Sequence, residues 1–325
     1  MFSFLSMVNF HMDQLFIDTY HRRIHKLRVS LTDHCNLRCQ YCMPVNAEFM
    51  DHGSYLQPAD YTTLIGELQR HGINEVRLTG GEPLLRHNFQ EIVHHLRSLN
   101  LPKISVTTNG LLLHHHLDFL ARSGILDINI SLDSLHSHTF QRITHRLGLE
   151  HIQHNIALAK AQQFRIKVNM VVMKGVNDHE IYEFIEYAKM QQVEVRFLEV
   201  MRIGYACQQQ SHWFIPAHEL IEKIKQRYEL IPVPSPLDAT AFSFQTSCGA
   251  RIGFIASESQ PFCGHCSRWR LSADGILRAC LLKEEGVSLK NTTPEQRQHL
   301  YQTLLGMKPY LRPPEVHHAM YTIGG

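Results

Sequence analysis

A C-x3-C-x2-C pattern formed by Cys35, Cys39 and Cys42 constrains this chain more than any other feature. It follows a short run, Leu27 to Leu31, that is typical of a β-strand. The spacing places three thiols on one tight loop, where they can bind a single inorganic centre. A structural zinc site takes four protein ligands, and a [4Fe-4S] cluster is usually held by four cysteines. Three thiolates on a four-iron cluster leave one iron open, so the pattern predicts a cluster at which a small molecule binds and reacts.

The main alternative for this loop is a zinc site completed by His34 or His52. A histidine adjacent to the first cysteine is poorly directed toward the same metal. The chain contains 24 histidines, so one nearby carries little weight. Three closely spaced cysteines cannot pair among themselves in disulfides.

A second trio, Cys263, Cys266 and Cys280, has C-x2-C-x13-C spacing. It again offers three thiolates, so we expect a second cluster with an open iron. Between its ligands lie Arg268 and Arg270, which point to the same side of an extended chain. That arrangement suits recognition of a purine or a phosphate beside the cluster.

The composition is that of an ordinary globular protein, with 44% hydrophobic and 19% charged residues in 325. A net charge of +2 gives no support for a nucleic-acid-binding role. Besides the two trios there are only two single cysteines, Cys207 and Cys248, a usage that indicates a reducing, cytoplasmic compartment. We expect both to be small apolar residues, although Cys248 is a possible fourth ligand of the second cluster. The sequence has no run of about eighteen apolar residues, so we predict no membrane span. Either Met1 or Met12 can be the start.

Strand-like and helix-like segments alternate six times between residues 27 and 197, which predicts a parallel sheet with right-handed crossovers. Six repeats are two short of a closed barrel, so the expected fold is α/β, a partial (β/α)6 TIM-like barrel. We predict an N-terminal arm over 1–26, the barrel over 27–204, and a smaller C-terminal domain over 205–325 that carries the second cluster. The predicted strands are 27–31, 75–79, 103–107, 127–131, 166–172 and 193–197; the predicted helices include 58–71, 88–99, 115–122, 149–163, 178–191 and 217–227.

Polar motifs follow three of these strands, at the end where barrel folds collect active-site residues. They are 79–83 (Thr-Gly-Gly-Glu-Pro), 107–110 (Thr-Thr-Asn-Gly) and 131–134 (Ser-Leu-Asp-Ser). Each alone is also compatible with an ordinary turn or cap.

Three cations, Arg28, Arg77 and Lys167, lie on the predicted strands themselves. A charge inside a buried strand is costly unless it has a partner. The three therefore suggest a triphosphate, because Arg and Lys suit phosphate oxygens. Ion pairs with nearby acids such as Glu199 are the alternative.

Taken together, residues 27 to 44 resemble the cluster loop of the radical S-adenosylmethionine (SAM) enzymes. Thr32-Asp33, the ending 41–44 (Tyr-Cys-Met-Pro), the second trio and its Arg-x-Arg pair resemble the GTP 3′,8-cyclases of molybdenum cofactor biosynthesis. The likeness runs from about residue 12 to the end. It implies two [4Fe-4S] clusters and SAM, which is cleaved to methionine and a 5′-deoxyadenosyl radical. It also implies conversion of GTP to 3′,8-cyclo-GTP, with hydrogen abstraction from C3′ and attack on C8.

The resemblance also assigns residues to ligands. The residues implied for SAM are Tyr41, Gly81, Glu82, Ser131 and Met201; those implied for GTP are Arg28, Arg77, Thr108, Lys167, Arg268 and Arg270; those implied for a flexible tail that enters the active site are Gly324 and Gly325. No side chain is assigned as general base. The family usually has Asn at Ser267 and a smaller or aliphatic residue at Trp269, two mild departures on the substrate side.

The partners implied are GTP, a one-electron donor and a downstream cyclic pyranopterin monophosphate synthase, with the chain a monomer or homodimer. Neither a membrane nor a nucleic acid is an expected partner. Two other functions stay open at this point. One is a radical SAM enzyme with an auxiliary cluster that acts on a peptide, although a peptide groove does not require three inward cations. The other is a non-catalytic iron–sulfur or zinc-binding regulator.

Overall fold

One continuous sheet of twelve strands forms the framework of the chain. The structure is a computed structural model that describes residues 15–324. In these residues the strand order is β12-β11-β10-β1-β2-β3-β4-β5-β6-β9-β8-β7. The strands are β1 (Lys26–Ser30), β2 (Glu75–Thr79), β3 (Lys103–Thr108), β4 (Asp127–Ser131), β5 (Arg165–Val172), β6 (Glu194–Glu199), β7 (Leu230–Val233), β8 (Phe242–Thr246), β9 (Arg251–Ile255), β10 (Arg268–Leu271), β11 (Ile276–Arg278) and β12 (Val287–Ser288).

Helices connect the first six strands, which are all parallel to their neighbours. None of the described helices is long and apolar enough to cross a membrane. The six predicted βα repeats are confirmed, and the structure adds α4, α7, α9 and α10, which were not predicted from the sequence. The helices are α1 (Pro58–Arg70), α2 (Phe89–Ser98), α3 (Leu117–Arg122), α4 (Ser137–Thr144), α5 (Leu149–Ala161), α6 (Ile181–Gln191), α7 (Ala206–Trp213), α8 (Ala217–Lys225), α9 (Pro294–Met307) and α10 (Met320–Ile323).

The alternation of side chains along each strand separates core from cavity. In β5 the residues Ile166, Val168 and Met170 are buried, as apolar side chains beneath the helices should be. The residues between them, including Lys167 and Asn169, are only partly buried and line cavities on the opposite face. The inner face of the sheet is therefore the polar one, and it is where the predicted site residues lie.

The C-terminal strands extend the sheet at both of its edges. β10 pairs in parallel with β1, with Lys26 opposite Arg268. At the other edge β9 pairs in parallel with β6, with Phe197 opposite Phe254. The C-terminal residues thus share a sheet with the βα repeats. The predicted boundary at residue 204 remains a prediction.

Helix α9 is fastened to α1 by a buried ion pair. It begins at Pro294, after Thr293 accepts a hydrogen bond from the Gln296 amide at 3.3 Å. Arg297 donates from Nε to Glu67 Oε2 at 2.6 Å. The hydroxyl of Tyr301 donates to the same oxygen at 3.2 Å. This link holds the C-terminal part of the chain against the first helix of the barrel.

We predict that Arg297→Leu lowers the free energy of unfolding by about 3–5 kcal/mol, because it leaves the Glu67 carboxylate buried without its cation. Arg165→Leu is the control, since Arg165 pairs with Asp127 while 62% of its side chain stays exposed. An exposed pair contributes about 0–1 kcal/mol. Anaerobic urea denaturation measures both changes, and equal losses in the two variants would contradict the prediction.

Candidate active site

The first trio lines a small cavity at the carboxyl ends of the strands. Cys35, Cys39 and Cys42 all contribute to its wall, and its volume is about 130 Å³. Two N–H groups point at Cys35 Sγ, the amide of Leu37 at 3.4 Å and Nδ2 of Asn109 at 3.8 Å. N–H donors to a ligand sulfur are a normal part of the surroundings of an iron–sulfur cluster. The residues present therefore fit a cluster held by three thiolates.

Burial raises the pKa of Cys35 to about 11 and that of Cys42 to about 12. The Glu82 carboxylate raises that of Cys35 further, and Cys35 and Asp133 add to the rise at Cys42. Iron binding at this loop must therefore displace protons from the thiols.

Gly80 and Gly81 let the cysteine loop pack directly on the next strand end. The amide of Gly81 donates to Thr32 O at 2.7 Å, and the amide of Glu82 donates to His34 O at 2.7 Å. A Cβ on Gly81 would lie 2.2 Å from His34 O, which no side chain can do. The glycines are thus required for the close approach of two backbone segments.

Glu82 is fully buried behind this contact. Its carboxylate accepts hydrogen bonds from Leu84 N at 3.0 Å, Thr108 Oγ1 at 2.7 Å and Asn109 N at 2.7 Å. Burial raises the pKa of Glu82 to about 7 although these three donors oppose the shift. Thr108, which the resemblance gives to GTP, therefore lies beside Glu82 and the first trio. Its contact with GTP stays a prediction.

Tyr41 and Ser131 connect this cavity to a larger one. Both residues line the first cavity and also a central cavity of about 240 Å³. Tyr41 donates to Asp133 Oδ2 at 2.8 Å, and burial raises the pKa of Asp133 to about 6. Met201 lines the central cavity, and Gly81 lines the first. The residues assigned to SAM thus surround the passage between the two cavities, with Glu82 behind its wall.

The second trio lines the far wall of the central cavity. Cys263, Cys266 and Cys280 all contribute, together with Arg268 and Arg270. Cys266 lies two residues before β10 and so at the amino end of that strand, whereas the first trio follows the carboxyl end of β1. Because the two strands are parallel neighbours, the trios lie at opposite ends of the sheet. The three polar motifs predicted from the sequence follow their strands, whereas Cys266 precedes its strand.

Cations surround the second trio. The ammonium of Lys308 donates to Cys266 Sγ at 3.3 Å, and the amide of Leu282 donates to Cys280 Sγ at 3.4 Å. Burial alone would raise the pKa of Cys266, but the charges of Arg268 and Lys308 bring it down to about 6. Such a thiol is ionised near neutral pH and is ready to bind a metal. These donors fit a second iron–sulfur cluster.

A third cavity, of about 280 Å³, opens at the amino ends of the parallel strands. Four arginines, Arg28, Arg77, Arg196 and Arg268, line both this cavity and the central one. Nine basic side chains and four acidic ones contribute to its wall; they are Lys26, Arg28, Arg77, Lys103, Arg165, Lys167, Arg196, Arg251 and Arg268, and Glu75, Asp127, Glu194 and Asp238. We name it the basic cavity, since the excess of positive charge suits a polyanion.

The cations predicted to bind GTP line the central cavity, the basic cavity or both. Burial lowers the pKa of Arg77 and of Arg270 to about 10, and the charge of Arg268 adds to both shifts. Lys167 lines only the basic cavity and pairs with Glu194 Oε2 at 3.2 Å. An ion pair was the alternative considered for Lys167, with Glu199 as the acid. Its observed partner is Glu194, and a role in binding GTP stays a prediction.

The C-terminal tail lies inside the site. Met320, in α10, lines both the first and the central cavity. The carbonyl of Gly324 accepts a hydrogen bond from Arg270. Gly324 has φ +83°, and a Cβ there would lie 2.8 Å from Ser30 Cβ. Gly325 and the first fourteen residues, with the two possible starts at Met1 and Met12, lie outside the described residues.

The two single cysteines lie away from the second trio. Cys248 follows β8, with its Sγ 3.1 Å from Thr246 Oγ1. Cys207 is in α7, with its Sγ 3.5 Å from Val316 O. Neither contributes to the wall of the central cavity. The structure therefore gives no support to Cys248 as a fourth ligand.

Several residues of the site were not predicted from the sequence. Arg196 and Arg312 line the central cavity, and Asp238 accepts from Lys26 Nζ at 2.6 Å and Ser267 Oγ at 2.5 Å below it. Arg196 could have been found, because it is a further cation on a predicted strand. Lys308 could not, since it reaches the site from the loop after α9.

No three His, Cys, Asp or Glu side chains within residues 15–324 converge on a point where one metal ion could bind. The sulfurs that hold a cubane lie farther apart, because each binds a different iron. The described residues thus show no tetrahedral zinc site of the kind considered for the first loop.

Two family models match the chain. That of the radical SAM superfamily matches residues 29–188, and that of molybdenum cofactor synthesis C matches residues 193–314. Among solved structures, Streptococcus suis SuiB bound to S-adenosylmethionine superposes with a TM-score of 0.64. That match covers 88% of this chain and 69% of SuiB at 13% identity, so it shows the fold alone. Fold and first loop define a radical SAM protein.

Curated relatives show which family of radical SAM proteins this chain belongs to. A GTP 3′,8-cyclase from Synechocystis sp. is 61% identical over 327 residues, covering 100% of both chains. One from Aquifex aeolicus is 35% identical and covers 87% of this chain and 89% of its own. This chain belongs to the GTP 3′,8-cyclase family.

We predict that Gly81→Ala removes the first cluster, because the added methyl forces His34 and the cysteine loop away from β2. The variant should hold about four irons per chain against about eight in the unchanged protein. Gly306→Ala is the matched control, since a Cβ there meets nothing within 4 Å. Anaerobic iron and sulfide analysis gives the counts, and a full complement of iron in Gly81→Ala would refute the role assigned to this glycine.

Proposed function

We propose that this chain converts GTP to (8S)-3′,8-cyclo-7,8-dihydroguanosine 5′-triphosphate by radical SAM chemistry, the first step of molybdenum cofactor biosynthesis. The observation that carries the proposal is the central cavity itself. It has a cysteine trio in its far wall, joins the cavity of the other trio, and is lined by four arginines that continue into the basic cavity. A nucleotide triphosphate and SAM can meet in this space.

Cys35, Cys39 and Cys42 would hold the first cluster, which when bound would supply the electron needed to cleave SAM into methionine and a 5′-deoxyadenosyl radical. The residues of this chain hold and orient the cofactor. Tyr41 and Ser131 line both cavities and Met201 lines the central one, so the three are placed along a molecule that extends from one cavity to the other. Glu82 fixes the wall by accepting from Thr108 and Asn109.

Arg268 and Arg270 are placed to bind the guanine end of GTP near the second trio. Arg28 and Arg77 lie between that trio and the basic cavity, in position for the triphosphate, and Lys167 lies farther along the same wall. Holding both ends of the nucleotide fixes C3′ toward the SAM side. Much of the barrier reduction comes from this orientation.

The remaining parts of the proposal are a second [4Fe-4S] cluster on Cys263, Cys266 and Cys280 and a tail that closes the site. The Arg270 contact with the Gly324 carbonyl supports the closing tail, because the tail then covers the nucleotide side of the cavity and excludes water.

A one-electron donor and a downstream cyclic pyranopterin monophosphate synthase complete the pathway. The thiols that hold the clusters suit a reducing, cytoplasmic location. A peptide-modifying activity has less support, because the cavity walls carry an excess of cations.

The activity is tested by anaerobic incubation of the iron-loaded protein with GTP, SAM and dithionite. We expect 5′-deoxyadenosine and a cyclised guanine nucleotide in equal amounts. Because the cyclised product is an isomer of GTP, the two nucleotides are separated by chromatography before mass spectrometry. ATP in place of GTP serves as the control and should give no cyclised product. The proposal fails if 5′-deoxyadenosine forms with GTP present but receives no deuterium from GTP labelled with deuterium at C3′.

We predict that Arg77→Met raises the KM for GTP roughly 10- to 100-fold, the effect of losing one charge-assisted hydrogen bond to a phosphate. The KM for SAM should change less than that for GTP, because Arg77 lines the central cavity but not the first one. Lys189→Met, which removes an exposed lysine from α6, is the control. Steady-state kinetics separates the two constants, and an unchanged KM for GTP would contradict the triphosphate assignment.

A further inference from the structure

Lys308 is a buried cation, and the counter-charges that face it among residues 15–324 are cysteines of the second trio, Cys266 and Cys280. Its side chain is 2% exposed. The three N–H bonds of the ammonium have three acceptors, Cys266 Sγ at 3.3 Å, Arg268 O at 2.7 Å and Ala279 O at 2.9 Å. Lysine has three donors and no acceptor, so its hydrogen-bonding capacity is fully used.

No carboxylate of residues 15–324 lies within ion-pair distance of Lys308. An ammonium buried without an anion is costly, and two carbonyl oxygens do not neutralise it. The nearest group that can carry the negative charge is the Cys266 sulfur. The position is therefore suited to an anionic ligand sulfur.

The N-terminal arm holds the Lys308 segment in place. Arg22 donates to Cys263 O at 2.5 Å and Pro309 O at 2.9 Å from one nitrogen, and to Lys308 O at 3.2 Å from the other. Asp18 accepts from Arg22 Nε at 2.7 Å and fixes the guanidinium. One side chain thus links the backbone of a trio cysteine to that of Lys308, so the ammonium cannot easily move away from the sulfur.

We propose that Lys308 is a positioning residue of the second cluster: its ammonium orients the Cys266 thiolate and raises the reduction potential of the cluster bound there. The inference rests on the second cluster of the proposed function. Reduction adds one electron from an external mediator, breaks no bond and makes the cluster one unit more negative. A fixed positive charge in hydrogen-bond contact with a ligand sulfur stabilises that reduced form.

The first cluster provides the internal contrast. Cys35 receives its hydrogen bonds from two neutral donors, Leu37 N and Asn109 Nδ2. The carboxylates of Glu82 and Asp133 lie close to its trio. The guanidinium of Arg38 also acts on Cys35, so the surroundings of the first trio are mixed in charge. Cations dominate the surroundings of the second trio, which is therefore the one that favours an added electron.

The test uses the full chain with Cys35, Cys39 and Cys42 all changed to Ala, so that only the second cluster remains. In this background we compare Lys308 with Lys308→Met and Lys308→Arg, and with Lys189→Met as a control. Midpoint potentials come from redox titrations monitored by electron paramagnetic resonance. For Lys308→Met we expect at least a tenfold fall in the equilibrium constant for one-electron reduction, which is a shift of about 59 mV to more negative potential. Lys308→Arg and Lys189→Met should stay near the parent value.

An unchanged potential in Lys308→Met with unchanged iron content would overturn the proposal. Loss of iron from Lys308→Met that Lys308→Arg restores would support it, because charge is what the two variants do not share. Loss of iron from both would overturn it, since the shape of the side chain would then be the requirement. If the parent with Lys308 intact binds no iron, the second cluster itself is wrong, which is a separate failure.

Discussion

The parallel pairing of β10 with β1 determines where the chemistry of this protein can occur. Each strand carries a cysteine trio, but at opposite ends: Cys35 follows β1, whereas Cys266 precedes β10. A strand of five residues such as β1 spans roughly 17 Å. The interior of the sheet between the two trios is thus long enough for a cofactor and a nucleotide end to end. Breaking this pairing would separate the two trios. A cofactor bound at the first trio could then no longer reach a nucleotide bound at the second.

Charge is distributed along this interior in a way that matches the two ligands. Glu82 and Asp133 lie at the first trio, and their burial raises both pKa values. Arginines and Lys308 lie at the second trio, and Arg28 is so crowded that burial together with Arg270 and Arg77 lowers its pKa well below the usual value. Concentrated positive charge in a buried space is unfavourable without an anion. A nucleotide triphosphate relieves that repulsion on binding, whereas the acids at the other end keep it from entering there.

Sequence patterns predicted the parts of the structure that depend on local signals. The cysteine spacing, the six βα repeats and the alternation that directs Arg28 and Arg77 inward are all readable over short windows. The pairing of β9 and β10 with opposite edges of the sheet was not, because these strands are short and their partners are distant in the chain. Thr108 lies beside the first trio because it donates a hydrogen bond to Glu82, which is 26 residues earlier in the chain. Lys308 reaches Cys266 across 42 residues, and no local pattern marks it.

The central claim is that the second trio leaves one iron open toward the nucleotide. Electron-nuclear double resonance on the reduced protein tests it most directly, with the first trio changed to Ala and GTP labelled with ¹⁵N in the guanine ring. A hyperfine coupling from a guanine nitrogen to the remaining cluster is the predicted result. A cluster that is present and reduced but shows no nitrogen coupling, with GTP bound at saturation, would contradict the account.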